Sequence, residues 1–271
     1  MLKQRIITAL LMLPIALGGF FLLDGAAFAW FIGAIIAVAA WEWAQLAGLT
    51  GQPQRLGYAG AVAAALLLLY FNQQLAGLLM TLGIAWWLLA TLLVLTFPES
   101  SRYWASSPIR LLIGLLILLP AWQGLLLLKG LEHGNLLILA VMVMVWGADI
   151  GAYFSGRAFG KRKLAAQVSP GKSWEGVCGG LLATGLIAIG TGLYCQWSAR
   201  VMILAVLATV LVVSLSVVGD LTESMFKRQA GVKDSSNLLP GHGGVLDRVD
   251  SLTAAVPLFY VLLWLAGWSA Q

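Results

Sequence analysis

Charged residues are scarce in this sequence: Asp, Glu, Lys and Arg make up 10% of its 271 residues, against about 25% in a soluble domain. Hydrophobic residues make up 61%, and a mean hydropathy of +0.92 excludes a water-soluble globule. Cysteine is rarer still, and two residues cannot staple a secreted disulfide scaffold. Cys178 and Cys195 lie 17 residues apart at the ends of one apolar run, about 25 Å along a helix axis. They do not bond to each other within one chain. Two histidines and no His/Cys cluster with zinc spacing leave a hard, oxygen-ligated ion such as Mg²⁺ as the only metal suggested.

Long apolar runs are what the chain does have, and none shows the alternation of a barrel strand. A span needs about 20 apolar residues to cross hydrocarbon about 30 Å thick. Cutting at charges and turn clusters predicts nine: Ile6–Leu23, Ala26–Ala40, Leu56–Phe71, Leu75–Phe97, Leu111–Leu128, Leu136–Phe154, Val177–Tyr194, Val201–Val218 and Ser251–Trp268. The expected fold is an all-α, polytopic membrane bundle. Residues 1–130 form an N-terminal multispan region, and residues 131–271 a C-terminal membrane region carrying the polar loops. The first run resembles a signal peptide, with Ala27-Phe28-Ala29 posing as its cleavage site, but it exceeds an h-region of about 7 to 15 residues and reads as a retained span.

Lys and Arg collect on the cytoplasmic side of membrane proteins. With nine helices starting inside, fourteen of the sixteen bases fall inside, leaving only Lys129 and Arg200 outside. The N-terminus is therefore expected inside and the C-terminus outside.

Trp146–Glu175 and Gly219–Asp250 hold nine of the bases and seven of the eleven acids, both on the expected cytoplasmic side. The positive-inside rule explains bases but not acids, so the two loops read as one active site at the membrane surface. Asp220, Glu223, Ser224 and Lys227 share a helical face if the eighth span continues past Val218. Glu223 and Lys227 then make an ordinary i, i+4 pair, whereas Asp220 follows an apolar run where an unpartnered carboxylate is costly and functional. Asp149 also lies within a span, either as a functional acid or as a buried partner of Arg157 on the same face. Lys161-Arg162-Lys163 reads as a topogenic cluster.

Pro240-Gly241-His242-Gly243-Gly244 is a glycine-rich turn leading into Asp247 and Asp250. Such a turn brings backbone N–H groups close to phosphate, and a following helix N-terminus adds positive dipole. Ser169-Pro170-Gly171-Lys172-Ser173 ends like a Walker loop, but Ala166 stands where the first glycine belongs and no strand is expected before it. Lys172 and Ser173 remain candidate phosphate contacts just before a helix. His133 has no evident partner. Carboxylates, bases and a glycine-rich turn together suit phosphoryl or nucleotidyl transfer, where metal ions bridge phosphate oxygens and bases neutralise charge.

The segment from Ser224-Met-Phe-Lys227-Arg228 through Lys233-Asp234, Ser236, Leu239-Pro240, His242-Gly243-Gly244 and Asp247-Arg248-Val-Asp250 resembles the signature of the CDP-diacylglycerol synthases, or phosphatidate cytidylyltransferases. Asp149, Tyr153, Gly156-Arg157, Gly160-Lys161 and Ser169 to Gly176 are similar to a second block of that family. The resemblance implies synthesis of CDP-diacylglycerol and pyrophosphate from CTP and phosphatidate, with Mg²⁺, at the cytoplasmic face of a bacterial inner membrane. It implies Asp220 and Asp247 as metal ligands, and Asp234 and Asp250 as ligands or orienters. Lys227, Arg228, Lys233 and Arg248 would neutralise phosphate charge. Ser224 joins the substrate contacts, and His242, Gly243 and Gly244 cradle phosphate. Lys172, Ser173 and Asp149 would serve the nucleotide or the lipid. Expected partners are CTP, phosphatidate and the bilayer, with no nucleic acid. The glycine-rich seventh span, Gly176 to Gly192, serves packing within the chain or in a homodimer.

A CTP-dependent polyprenol kinase is the nearest rival reading, and a transporter is the rival of another class. A transporter would gather its polar residues near mid-membrane, whereas here they collect at one face. The orientation predicts that a periplasm-active phosphatase fused at the C-terminus will be active and a cytoplasm-only reporter silent. The reverse pattern contradicts an odd span number starting inside.

Overall fold

The computed structural model describes residues 2–268, with side chains for residues 8 and 10–268. Nine α-helices are present among them: α1 (Leu2–Phe21), α2 (Gly25–Leu46), α3 (Gln52–Phe71), α4 (Ala76–Leu95), α5 (Ser107–Lys129), α6 (Gly134–Phe159), α7 (Trp174–Tyr194), α8 (Ala199–Gln229) and α9 (Leu246–Leu265). Eight are long and apolar enough to cross a bilayer on their described residues, which makes this a multi-pass membrane protein. α1 supplies a shorter described apolar stretch, Leu10–Phe21. Lys3 and Arg5 lie outside the described side chains.

Each predicted span has its helix, but most of the helices run further into polar sequence than the cuts at charge implied. α2 passes Ala40 to include Glu42, α6 passes Phe154, and α8 passes Val218 to include Asp220, Glu223 and Lys227. On α2 and α8 the added polar groups find partners in the interior: Glu42 accepts from Ser236 and the start of α9, and Lys227 meets Glu223 and Asp247.

The expectation of no strand before Ser169 is corrected. β1 (Lys163–Ala165) pairs antiparallel with β2 (Ser169–Ser173) in a short hairpin between α6 and α7. Backbone polar groups in this connection find their partners across the hairpin, as groups near hydrocarbon must. The Walker reading still fails on Ala166.

Lipid gives no hydrophobic force between helices, so they associate by close fit and hydrogen bonding. α6 and α7 touch through glycine. A Cβ on Gly180 would stand 2.7 Å from the Ala148 carbonyl oxygen, and one on Gly151 2.8 Å from that of Gly179. Gly176, Gly179 and Gly180 are thus used within the chain, whereas Gly185 and Gly190 have open space beside them. Elsewhere glycine receives bulk: a Cβ on Gly83 would sit 2.7 Å from Pro120, and one on Gly124 2.9 Å from Val256. Helices of both predicted regions share this core.

At one end, Trp43 of α2 and Trp104 of the loop before α5 close on Phe226 of α8, with ring centroids 4.8 and 4.4 Å away. All three are buried. At the other end Lys129 pairs with Asp24 at 3.2 Å and donates to the Phe20 carbonyl at 2.9 Å. The aromatic cluster lies beside the polar loops. Thr8 near the start of α1 donates to the Pro240 carbonyl at 3.0 Å, which brings α1 to the same end.

Candidate active site

Three carboxylates held by two lysines define the polar end of the bundle. α8 continues as a helix through Gln229, so Asp220, Glu223, Ser224 and Lys227 do share a face. The Ser224 hydroxyl donates to Asp220 Oδ1 at 3.2 Å, and Lys172 Nζ donates to Asp220 Oδ2 at 2.5 Å. One turn on, Lys227 Nζ donates to Glu223 Oε2 at 2.8 Å and to Asp247 Oδ1 at 2.6 Å. The side chains of Lys227, Glu223 and Asp247 are only 10%, 3% and 4% exposed, so this bridge between α8 and α9 is interior. Glu223 Oε1 is buried with no hydrogen-bond partner among the described residues.

Residues Gly231–Val245 form the loop that closes the site. Gly241 and Gly243 adopt φ of 77° and 82°, a left-handed backbone that other residues rarely take. The turn closes with Leu239 N–H donating to the Gly243 carbonyl at 2.8 Å, and His242 N–H to the Leu239 carbonyl at 2.9 Å. Asp247 then gathers the loop: its Oδ2 accepts from Gly244 N–H at 2.7 Å, Ser235 N–H at 2.9 Å and the Ser235 hydroxyl at 2.8 Å. His242 Nδ1 is buried and without a partner among the described residues, a polar atom left for a ligand or water.

The hairpin supplies the opposite wall. Successive residues of β2 point to opposite faces, so Lys172 turns to Asp220 while Ser173 caps α7 by accepting from Gly176 N–H at 3.1 Å. Asp149 and Lys172 line a cavity of about 210 Å³ between α6, α7 and α8. Asp149 lies within electrostatic range of Lys172 and Asp220. Its alternative partner is not used, because Arg157 donates to the Tyr153 hydroxyl at 3.3 Å instead. A larger apolar cavity of about 410 Å³ lies under the hairpin and shares Val177 and Val217 with the first. Arg228 ties α8 to the hairpin, donating from Nε to the Val168 carbonyl at 3.1 Å. Lys161 and Arg162 hold Glu175 through their backbone N–H groups at 3.1 and 3.2 Å, leaving the three-residue basic cluster on the surface.

Not every predicted residue joins the cluster. Lys233, Asp234 and Arg248 are exposed on the closing loop and first turn of α9. Asp234 stands beside the turn, 3.4 Å from where a Cβ on Gly243 would lie. Asp250 faces inward: its Oδ1 accepts from Ser251 N–H at 2.7 Å, and Asp220 and Glu223 are its charged neighbours. Sequence reasoning missed Glu42 and gave Glu223 only a pairing role. Both acids are buried, and Glu42 betrays itself by the same signal as Asp220, a lone acid inside an apolar run.

Among the described residues no three His, Cys, Asp or Glu side chains form a ready metal cage. The donor set nevertheless fits a hard cation. Four carboxylates, Asp220, Glu223, Asp247 and Asp250, face two ammonium groups, Lys172 and Lys227, a formal excess of two negative charges when all are ionised. Glu223 Oε1, the unpartnered oxygen of that set, is a hard donor of the kind Mg²⁺ takes.

Because Lys227 separates two interior carboxylates, Lys227→Met will destabilise the protein by about 3 to 5 kcal/mol, the cost of stripping a buried charge of its partner. Thermal unfolding in detergent measures it, and adding Glu223→Gln will restore part of the loss. Unchanged stability in Lys227→Met contradicts the interior bridge.

The profile of the family described as "Cytidylyltransferase family" matches residues 3–266. The chain is 66% identical over 270 residues to a phosphatidate cytidylyltransferase of Pseudomonas aeruginosa, covering all of both chains. It is 44% identical to the Haemophilus influenzae protein of that name, over 96% of this chain and 97% of the relative. The Brucella suis protein of the same name is 38% identical, over 96% and 92%. A match that runs from α1 to the end of α9, and so spans the charge cluster, the hairpin and the glycine-rich turn, makes this chain a member of the cytidylyltransferase family.

Proposed function

We propose that the chain transfers the cytidylyl group of CTP to phosphatidate, releasing pyrophosphate and supplying CDP-diacylglycerol for phospholipid biosynthesis. The observation that carries the reading is the lysine and carboxylate cluster at the polar end of an otherwise apolar bundle, in a chain that aligns end to end with proteins bearing that name. A phosphate oxygen of the lipid attacks the α-phosphorus of CTP in line, and the bond to the β-phosphate oxygen breaks. The attacking phosphate is largely ionised at neutral pH, its second pKa being about 6, and needs no general base.

Lys172 stands where it can meet phosphate, beside Asp149 in a small cavity that adjoins a larger apolar one across Val177 and Val217. That adjacency suits a lipid with an anionic head and an oily tail. Lys227, Arg228, Lys233 and Arg248 neutralise nucleotide phosphates, with Ser224 and Ser173 beside them and the turn of His242, Gly243 and Gly244 around the leaving pyrophosphate. Asp220 and Asp247 would hold Mg²⁺, with Asp250 and Asp234 as supporting acids. Bound by these acids, Mg²⁺ would supply positive charge against the transferring phosphates. Each of Asp220 and Asp247 has one oxygen held by a lysine ammonium, so each lysine is poised to pass from carboxylate to phosphate.

The polar end faces the cytoplasm of a bacterial inner membrane, on the strength of the fourteen bases assigned to that side. Gly185 and Gly190 of α7, open on the bundle surface, leave a face for a second copy of the chain in a homodimer.

Purified protein given CTP, phosphatidate and Mg²⁺ will release pyrophosphate and form CDP-diacylglycerol. Release of CDP instead would mean γ-phosphoryl transfer and sink the reading. Asp220→Asn and Asp247→Asn will lose turnover, Asp247→Asn with some loss of stability because Lys227 then keeps only Glu223 as its charged partner, and full activity in either would refute its metal role.

A further inference from the structure

Glu42 is a buried charge that the transfer chemistry leaves unused. It lies near the end of α2, is 0% exposed, and takes part in none of the ion pairs among the described residues. An ionised carboxylate survives burial only when other donors satisfy it. Here they all come from the closing loop and the start of α9, about 200 residues away in sequence. Oε1 accepts from the Ser236 hydroxyl at 2.5 Å and from Val245 N–H at 2.9 Å. Oε2 accepts from Leu246 N–H at 2.6 Å. The Ser235 hydroxyl lies 3.4 Å from Oε2 but 2.8 Å from Asp247 Oδ2, so its single hydrogen goes to Asp247.

The first N–H groups of any helix lack partners within it. α9 begins after Val245, whose side chain makes no cap. Glu42 therefore caps α9 from another helix, and a negative charge there also meets the positive end of the helix dipole. The fit is close: a Cβ on Gly244 would stand 2.5 Å from Glu42 Oε1. The turn so fixed carries Asp247 and Arg248, and Asp247 is the residue that meets Lys227 of α8.

We propose that Glu42 is a positioning residue for cytidylyl transfer: by capping α9 from α2 it sets the first turn of α9, and hence Asp247, in register with α8. The inference rests on the transfer reading given above. Glu42→Gln keeps the shape but offers one carbonyl acceptor where two oxygens each took a backbone N–H. Losing a buried charge-assisted hydrogen bond of this kind will lower kcat about 10- to 100-fold. KM for phosphatidate will stay within about threefold, because Lys172 and the hairpin lie away from the cap.

The experiment measures kcat and KM for wild type and Glu42→Gln side by side, with hydrogen exchange of the 235–246 backbone in the same detergent. Lower kcat, steady KM and faster exchange at Val245 and Leu246 support the proposal. An active wild type beside an equally active Glu42→Gln overturns it, and so does faster exchange with unchanged kcat, which would make Glu42 a staple of the fold alone. Equal loss of kcat with unchanged exchange overturns it too. A wild type that releases no pyrophosphate instead defeats the transfer reading on which the inference rests. Should Glu42→Gln fail to accumulate, Glu42→Asp keeps the charge but draws it back from Val245 and Leu246 by one methylene: lower kcat with faster exchange at those two residues supports the proposal, and unchanged kcat overturns it.

Discussion

Lys227 holds two interior carboxylates, Glu223 on its own helix and Asp247 on the next, and the polar end of the molecule is arranged around that bridge. A buried charge missing its partner costs several kcal/mol, so α8 and α9 cannot slide past each other without breaking it. The closing loop inherits this register, because the other oxygen of Asp247 gathers Ser235 and Gly244. Lys172 on Asp220 repeats the arrangement toward the hairpin. A substrate phosphate can compete for either ammonium, which makes the same contacts structural before binding and catalytic after it.

The bridge is only as exact as the helices that carry it. In lipid that precision comes from shape. Glycines of α6 and α7 bring backbones together, Gly83 and Gly124 receive Pro120 and Val256, and Trp43 and Trp104 clamp Phe226 one residue before Lys227. A close-packed apolar bundle thus fixes polar side chains at its end, and the apolar cavity under the hairpin lies beside them.

Hydropathy made all nine helices legible, since a continuous apolar run in lipid has one way to satisfy its backbone. Their ends were less legible. Cutting α2 at Ala40 hid Glu42, because a single acid looks like a boundary until its donors, which lie near residue 245, are known. The hairpin was also hidden: Lys163–Ala165 is too short to show a strand period, and its pairing with Ser169–Ser173 is a tertiary fact. The expected shared face of Asp220, Ser224 and Lys227 follows from helical spacing and is observed. The partners of that face, Lys172 across the hairpin and Asp247 on α9, depend on long-range contacts that spacing cannot supply.

These acids form one charge-rich centre suited to a divalent cation. Titration of nucleotide-free protein with Mn²⁺, followed by electron paramagnetic resonance of the free ion, tests it directly. Wild type is predicted to take up the ion in a saturable manner that Mg²⁺ competes away, with the affinity lost in Asp220→Asn and in Asp247→Asn. Uptake that is unchanged by both substitutions would contradict the account.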